Sequence, residues 1–463
     1  MERSLPRLPK PLIYLWFMLS FTLLSLTALA QRPFITTWQT TTANETITIP
    51  VNSDVTGYNY TVDWGDGNTS TNQTGDATHS YGTTGTHTVS ITGNFPAIRL
   101  GSYGIDVTDK LMSIEQWGDI AWSSMERAFS GARYMVLNAT DVPDLSGVLS
   151  LSRMFMGAEA FNGNLSGWNV SGITDMSSMF YNAKAFNGNI SNWDVSSVTN
   201  MRGMFWQASV FNQDIGGWDV GNVADMSFMF YQAPVFNQDL SSWDVSSVTT
   251  MNSMFFIALD FDQSLGSWDI SNVTDMDDML LATGLSSASY GATLIGWAAL
   301  PAVPANITLD ASGQEYCPGT AAETARQQLI AKGWTITGDA EATECSGGSV
   351  ITPGDPGNFV TTWAVDDIIS DPTITIPTRS DETYNYNIYW ENTANAAQNG
   401  MLTGQTGNVT LTFPEAGIYR VEINGAFPAI QFGSAASADV NDRKLLTVEQ
   451  WGDQVWQSMH QAF

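Results

Sequence analysis

The sequence predicts an exported α+β repeat protein: a solenoid of 25-residue strand–helix units, preceded by a small β-sandwich that returns after it. Three observations carry this. Phe161, Phe186, Phe211, Phe236 and Phe261 recur every 25 residues, as do Trp168 to Trp268 and Met176 to Met276. Such a strict period marks a repeat architecture whose units bury their apolar faces on one another. Ahead of the array, alternating stretches such as Thr46–Ile49, Tyr58–Val62 and Thr86–Ile91 are separated by Gly- and Asn-rich turns, the pattern of a small antiparallel sandwich. A longer repeat also brings back Phe34–Trp38 as Phe359–Trp363, Phe95–Ile98 as Phe427–Ile430, and Glu115–Asp119 as Glu449–Asp453.

Within one unit, Met201, Met204, Phe205 and Ala208 fall at i, i+3, i+4 and i+7, the apolar stripe of a two-turn helix. Thr199, with Thr174, Thr249 and Thr274 in the same place, is positioned to cap it. Trp193-Asp-Val195 is aromatic and β-branched and predicts an extended strand. A helix this short does not persist alone, so stacked copies must stabilise it. Asn162, Asn187, Asn212 and Asn237, ending in Asp262, form one polar column. Asp194, Asp219, Asp244 and Asp269 form another. Both suit side chains that satisfy turn backbone groups. For the Asp column, Asx turns are the simpler reading, with calcium as the alternative.

Residues 1–30 have a basic head (Arg3, Arg7, Lys10), an apolar run and Ala28-Leu29-Ala30, the layout of a cleaved signal peptide. Export permits a disulfide between Cys317 and Cys345, worth roughly 3–4 kcal/mol through restriction of the unfolded chain; a free thiol pair is the alternative. The predicted domains are a sandwich at 34–97, the repeat solenoid at 98–283 and a cap at 284–345. The cap contains helices at Ser287–Leu300 and Thr320–Lys332. A Gly-, Ser- and Pro-rich linker at 346–358 leads to a diverged second sandwich at 359–430 and the start of a second solenoid at 431–463. Met459–Phe463 matches Met125–Phe129, so the chain is expected to be a fragment of a longer protein.

Asp63-Trp-Gly-Asp66-Gly67 sits between strands. Two nearby carboxylates can bind calcium or work as an acid–base pair. The second copy, Tyr389-Trp-Glu-Asn392-Thr393, keeps only the Trp, which favours a turn. Asp63 and Asp66 therefore stand as weak calcium candidates, and no other metal or cofactor is expected.

The units of the form Trp193-Asp-Val-Ser-Ser-Val-Thr-Asn-Met201-Arg-Gly-Met204-Phe205, from about Leu111 to Cys345, resemble BspA-like, Mycoplasma-lipoprotein-type leucine-rich-repeat surface proteins. Val62–Gly67, Thr78–Tyr81 and Gly85–Val89 resemble a PKD domain. These resemblances imply a leucine-rich-repeat-like fold with PKD-like sandwiches, and an extracellular, non-catalytic role in adhesion or recognition.

Charge narrows the function further. The chain has 46 acids and 17 bases, a net charge of -29; without residues 1–30 the counts are 45 and 14, or -31. This excludes nucleic acid as a default partner and argues against an anionic membrane surface. No apolar stretch after the signal is long enough to span a bilayer. No G-x-S-x-G, H-E-x-x-H or phosphate-binding loop is present, and the acids sit at repeated structural positions. No enzymatic activity is therefore expected. The residue after each Met-Phe pair is aromatic in four units: Tyr181, Trp206, Tyr231 and Phe256. At 100° per residue this column lies away from the helical stripe. It is the candidate surface for an extracellular glycan or a protein partner; packing under a loop or against the next unit is the alternative. The expected function is a secreted or cell-surface binding protein on the outside of a bacterium. The alternative is a targeting or spacer appendage of a larger secreted enzyme, with its catalytic domain elsewhere.

Overall fold

A computed structural model describes residues 30–342, 358–365, 373–379, 384–430 and 444–452. The signal segment, Cys345, most of the linker and Met459–Phe463 lie outside the described residues. The first eight strands are β1 (Phe34–Thr40), β2 (Glu45–Ile49), β3 (Asn59–Asp63), β4 (Thr69–Gln73), β5 (Ala77–Tyr81), β6 (Gly85–Asn94), β7 (Leu111–Gln116) and β8 (Val136–Leu137). In β1, Phe34, Thr36, Trp38 and Thr40 are buried while the residues between them are half-exposed, as period-two alternation requires. One sheet runs β4-β3-β6-β1-β7-β8, and β2 pairs with β5 in a second. Ile47, Ile49 and Tyr81 of the small sheet share a core with Phe34, Trp38, Val62 and Ile91 of the large one.

β7 joins the sandwich to the repeats. It lies antiparallel to β1 on one side and parallel to β8 on the other. Single parallel bridges then step through the array: Ser150 to Asp175, Asp175 to Asn200, Asn200 to Asp225, Asp225 to Thr250 and Thr250 to Asp275. One hydrophobic core consequently runs from Phe34 to Ile336.

The strand–helix solenoid is the wrong description of the array. Among the described residues there are three helices, α1 (Ile105–Thr108), α2 (Ser287–Ala298) and α3 (Ala321–Ala331), and none lies between 109 and 286. The remaining elements are mostly strands in small sheets. An α-helix would send the Phe205 N–H to the carbonyl of Met201. It goes instead to Met229, in the next 25-residue coil, at 2.9 Å. The N–H groups of Met201, Gly203 and Gln207 likewise reach Asp225, Ser227 and Tyr231 at 2.8–3.0 Å. The alternate residues Met204, Trp206 and Ala208 close i→i−3 turns.

The backbone can alternate in this way because two positions per coil adopt positive φ. The first holds Arg153, Ser178, Gly203, Phe228, Ser253 and Asp278; the second holds Gly157, Asn182, Gln207, Gln232, Ile257 and Ala282. Positive φ at the third residue of a turn is the type II requirement and ends any α-helix. The predicted apolar stripe is nonetheless buried: Met201, Met204, Phe205 and Ala208 are fully inaccessible. The pattern marked what is inside but not the backbone that puts it there. Thr199 caps no helix; its N–H and hydroxyl both donate to the Thr174 carbonyl of the preceding coil. The stretch expected as a strand at 193–195 leads into a turn, with Val198 N–H bonded to Val195 O.

Side chains stack with the backbone. Phe180, Phe205, Phe230 and Phe255 form one column with ring centroids 5.4–5.7 Å apart. Each also packs flat on a second column, as Phe205 does on Phe211 at 3.9 Å. Aromatic pairs of this kind add about 0.5–1.5 kcal/mol beyond burial. The indole N–H groups of Trp193, Trp218, Trp243 and Trp268 donate to carbonyls of the preceding coil. The Asn column is a continuous ladder in which Asn187, Asn212, Asn237 and Asp262 N–H each bond the Asn Oδ1 one coil back at 2.9–3.0 Å.

The C-terminal end of the array is covered by α2 and α3, close to the positions expected. Ser286 and Thr320 cap them by accepting from Ser289 N–H and Ala322 N–H. Trp297 extends the Trp ladder to Leu265 O at 3.0 Å. β9 (Thr308–Asp310) continues the stack through Leu309 beside Met276. Buried Asp339 accepts both arms of Arg326 at 2.7 Å and the Tyr290 hydroxyl at 2.9 Å. Cys317 is buried.

Beyond the cap, Phe359–Val365 pairs with Gly417–Ala426 and with Leu445–Gln450, while Asn385–Asn392 pairs with Asn395–Gln405 and Gly417–Ala426. The order matches that of the first large sheet, and Thr373–Ile376 with Val409–Thr412 matches the small one. Even the interior bond from Trp38 Nε1 to Thr36 recurs, at 2.8 Å, from Trp363 to Thr361.

The positive-φ ladder gives a sharp test. A β-branched residue at this conformation is strained by about 1–2 kcal/mol, whereas Asn tolerates it. Ile257→Asn should therefore raise stability by about 1 kcal/mol in denaturant unfolding. A helical coil would instead lose stability, because Asn is no better a helix former and buries less.

Candidate functional site

Once the coils are turns, the outward aromatic column needs a new explanation. In this backbone Trp206 and Gln207, which follow the inward Phe205, are half-buried, whereas Met204 before it is fully buried. Tyr181, Trp206, Tyr231 and Phe256 are half-buried rather than free in solvent. They touch one another from coil to coil: Tyr181 to Trp206 at 5.0 Å, Trp206 to Tyr231 at 4.7 Å, and Tyr231 to Phe256 at 4.5 Å with rings nearly parallel. Phe228, which the sequence reading missed, stacks on Trp206 at 5.0 Å. The four predicted residues are thus brought together as one aromatic surface.

The N-terminal end of that surface opens into a groove of about 440 Å³, lined by Tyr181 and Trp206 together with Arg127, Arg153 and Arg202. The turn at Leu100–Ser102 closes it, with Gly101 packed so tightly on Arg127 that a Cβ would lie 2.8 Å from the Arg127 Cβ. Sequence reasoning missed these arginines. Aligning the units was the available signal, since Arg127 and Arg153 occupy the same positive-φ position.

Both calcium candidates make turn hydrogen bonds. Asp63 Oδ1 accepts from Gly65 N–H at 2.9 Å, and Asp66 Oδ1 accepts from Asn68 N–H at 3.0 Å. The other Asp66 oxygen lies 2.7 Å from His79 Nε2, and the His79 ring stacks on Trp64. Among the described residues no group of three or more His, Cys, Asp or Glu gathers as metal ligands. The Asp column closes Asx turns: Ser196, Gly221, Ser246 and Ser271 N–H bond Asp194, Asp219, Asp244 and Asp269 at 3.0–3.2 Å. The serine hydroxyls and amides hold Asp194 and Asp244 below the usual carboxylate range. The partner proposed for Cys317, Cys345, lies outside the described residues.

These features define a repeat protein of stacked, turn-built coils with aromatic ladders inside and an aromatic column outside. The array is similar to the family described as a Mycoplasma protein of unknown function, DUF285, which matches residues 123–233 and 212–288. No curated protein and no solved structure matches the chain. Among the described residues no helix is long and apolar enough to cross a membrane.

The Asp66–His79 contact has a pH consequence. The His79 hydrogen bond holds the Asp66 carboxyl below its ordinary value. The folded state then keeps the carboxylate charged at pH values where the unfolded chain binds a proton. The resulting stability is complete above the unfolded value, about 3.9, and is lost as pH falls through the lower folded value. Thermal melts between pH 5 and 2 should fall more steeply for the native protein than for Asp66→Asn.

Proposed function

We propose that this chain is a non-catalytic, secreted or cell-surface binding protein of a bacterium, and that its repeat array recognises a glycan or a protein partner. The observation that carries this is the outer column of Tyr181, Trp206, Tyr231 and Phe256. It runs across four coils with neighbouring rings 4.5–5.0 Å apart. The inward ladders already hold the coils together, so these rings are surplus to the core. Contiguous aromatic surface outside a core marks recognition sites, and flat rings suit sugar faces or partner side chains. The similarity to the Mycoplasma family and the resemblance to BspA-like surface proteins, with PKD-like sandwiches beside the repeats, support the surface location. The signal-like residues 1–30 support export.

Replacing Tyr181, Trp206 and Tyr231 together by Ser should weaken binding to immobilised cells or a glycan array by about 2 kcal/mol or more, with the folded fraction at the assay temperature unchanged. Native-like binding by a folded triple variant would contradict the reading.

A further inference from the structure

The array between Met125 and Thr283 has 17 acids and only five bases. Arg133 is paired with Asp109, and Lys184 with Glu159 at 3.0 Å. The other three, Arg127, Arg153 and Arg202, line the one groove described above. They are poorly neutralised there. The Arg153 side chain has no ion pair or hydrogen bond among the described residues. Arg127 has its Nε buried without a hydrogen-bond partner, with Glu126 no nearer than 3.6 Å. Arg202 lies 3.8 Å from Asp225 and over the Phe228 ring at 4.6 Å. The indole N–H of Trp206 is also buried and unpartnered. Three guanidinium groups lining one concavity without a close carboxylate partner suit a ligand that supplies acceptors.

We propose that this groove binds an acidic sugar, one bearing a single carboxylate or sulfate. Arg153 and Arg202 take the anionic group, for which the guanidinium fork is suited. Tyr181 and Trp206 flank the sugar ring. The volume, about 440 Å³, lies in the range of small-ligand pockets. A saccharide is favoured over an acidic peptide because the backbone beside the groove is already used. Arg153 N–H bonds Ser177 O, Ser178 N–H bonds Arg202 O, and the Tyr181 and Trp206 carbonyls accept from Gly157 and Asn182. No edge remains there for an extended chain to pair with. The acidic surroundings repel polyanions, which selects a short ligand with an isolated charge.

This inference rests on the reading of the aromatic column as a binding surface, and calorimetry can separate the two. The probes are sialyllactose, sulfated lactose, uncharged lactose and an acidic peptide, each titrated at millimolar concentration into the full chain. Sialyllactose or sulfated lactose should bind, and lactose at least tenfold more weakly. Arg153→Gln and Arg202→Gln should each reduce charged-sugar affinity about tenfold, the worth of one charge-assisted hydrogen bond, with melting temperatures close to native. If lactose binds as well as its charged forms, or both arginine variants bind like the native protein, the inference falls while the aromatic reading stands. Binding of the acidic peptide alone, lost in the triple serine variant, has the same consequence. If no probe binds and the triple variant keeps native cell binding, both fall.

Discussion

The structure depends on a single backbone choice repeated at every coil: N–H groups at alternate residues reach forward to the next coil instead of back along their own chain. Met201, Gly203, Phe205 and Gln207 all make that choice, as do their equivalents one coil before and after. Each such bond contributes only about 1 kcal/mol net, but leaving a buried N–H unpaired costs more. The whole array must therefore keep one register. The strict 25-residue period follows, because inserting or deleting one residue would misalign four bonds, two Phe columns and the Asn ladder together. It also explains why a sandwich strand starts the array: β7 offers a parallel edge on which the first coil can build.

The same register creates the outer surface. Once Phe205 and its equivalents are fixed inside, the residue after each must emerge outside at the same pitch, so four unrelated choices, Tyr181, Trp206, Tyr231 and Phe256, become neighbours. Most acids of the array are consumed in Asx turns at its corners, which leaves the charge spread along the edges. Against that background three arginines at one end of the aromatic column are a concentrated exception.

The period, the buried residues, the polar ladders and both cap helices were legible in the sequence, because burial and turn chemistry leave direct marks on residue type. The backbone of the repeat was not. Met201, Met204, Phe205 and Ala208 satisfy helical spacing because a ribbon of tight turns also returns side chains inward at intervals of three and four. The discriminating mark was weaker: Gly157, Asn182 and Gly203 occupy positions that a helix interior would penalise and a left-handed turn favours. It was diluted by Gln207, Phe228 and Ile257 at the same positions, where tertiary context overrides local preference. The groove was legible only in part: Arg127 and Arg153 align at one position of the unit, but Arg202 does not, and the three arginines, 26 and 49 residues apart in sequence, meet only after stacking.

The central claim is where one amide proton goes. In a deuterated, isotope-labelled sample, nuclear magnetic resonance couplings transmitted across hydrogen bonds identify the acceptor of the Phe205 amide directly. A coupling from the Phe205 nitrogen to the carbonyl carbon of Met229 is the predicted result. A coupling to the carbonyl carbon of Met201 would mean a helix, and would contradict the account of the repeat and of the surface built on it.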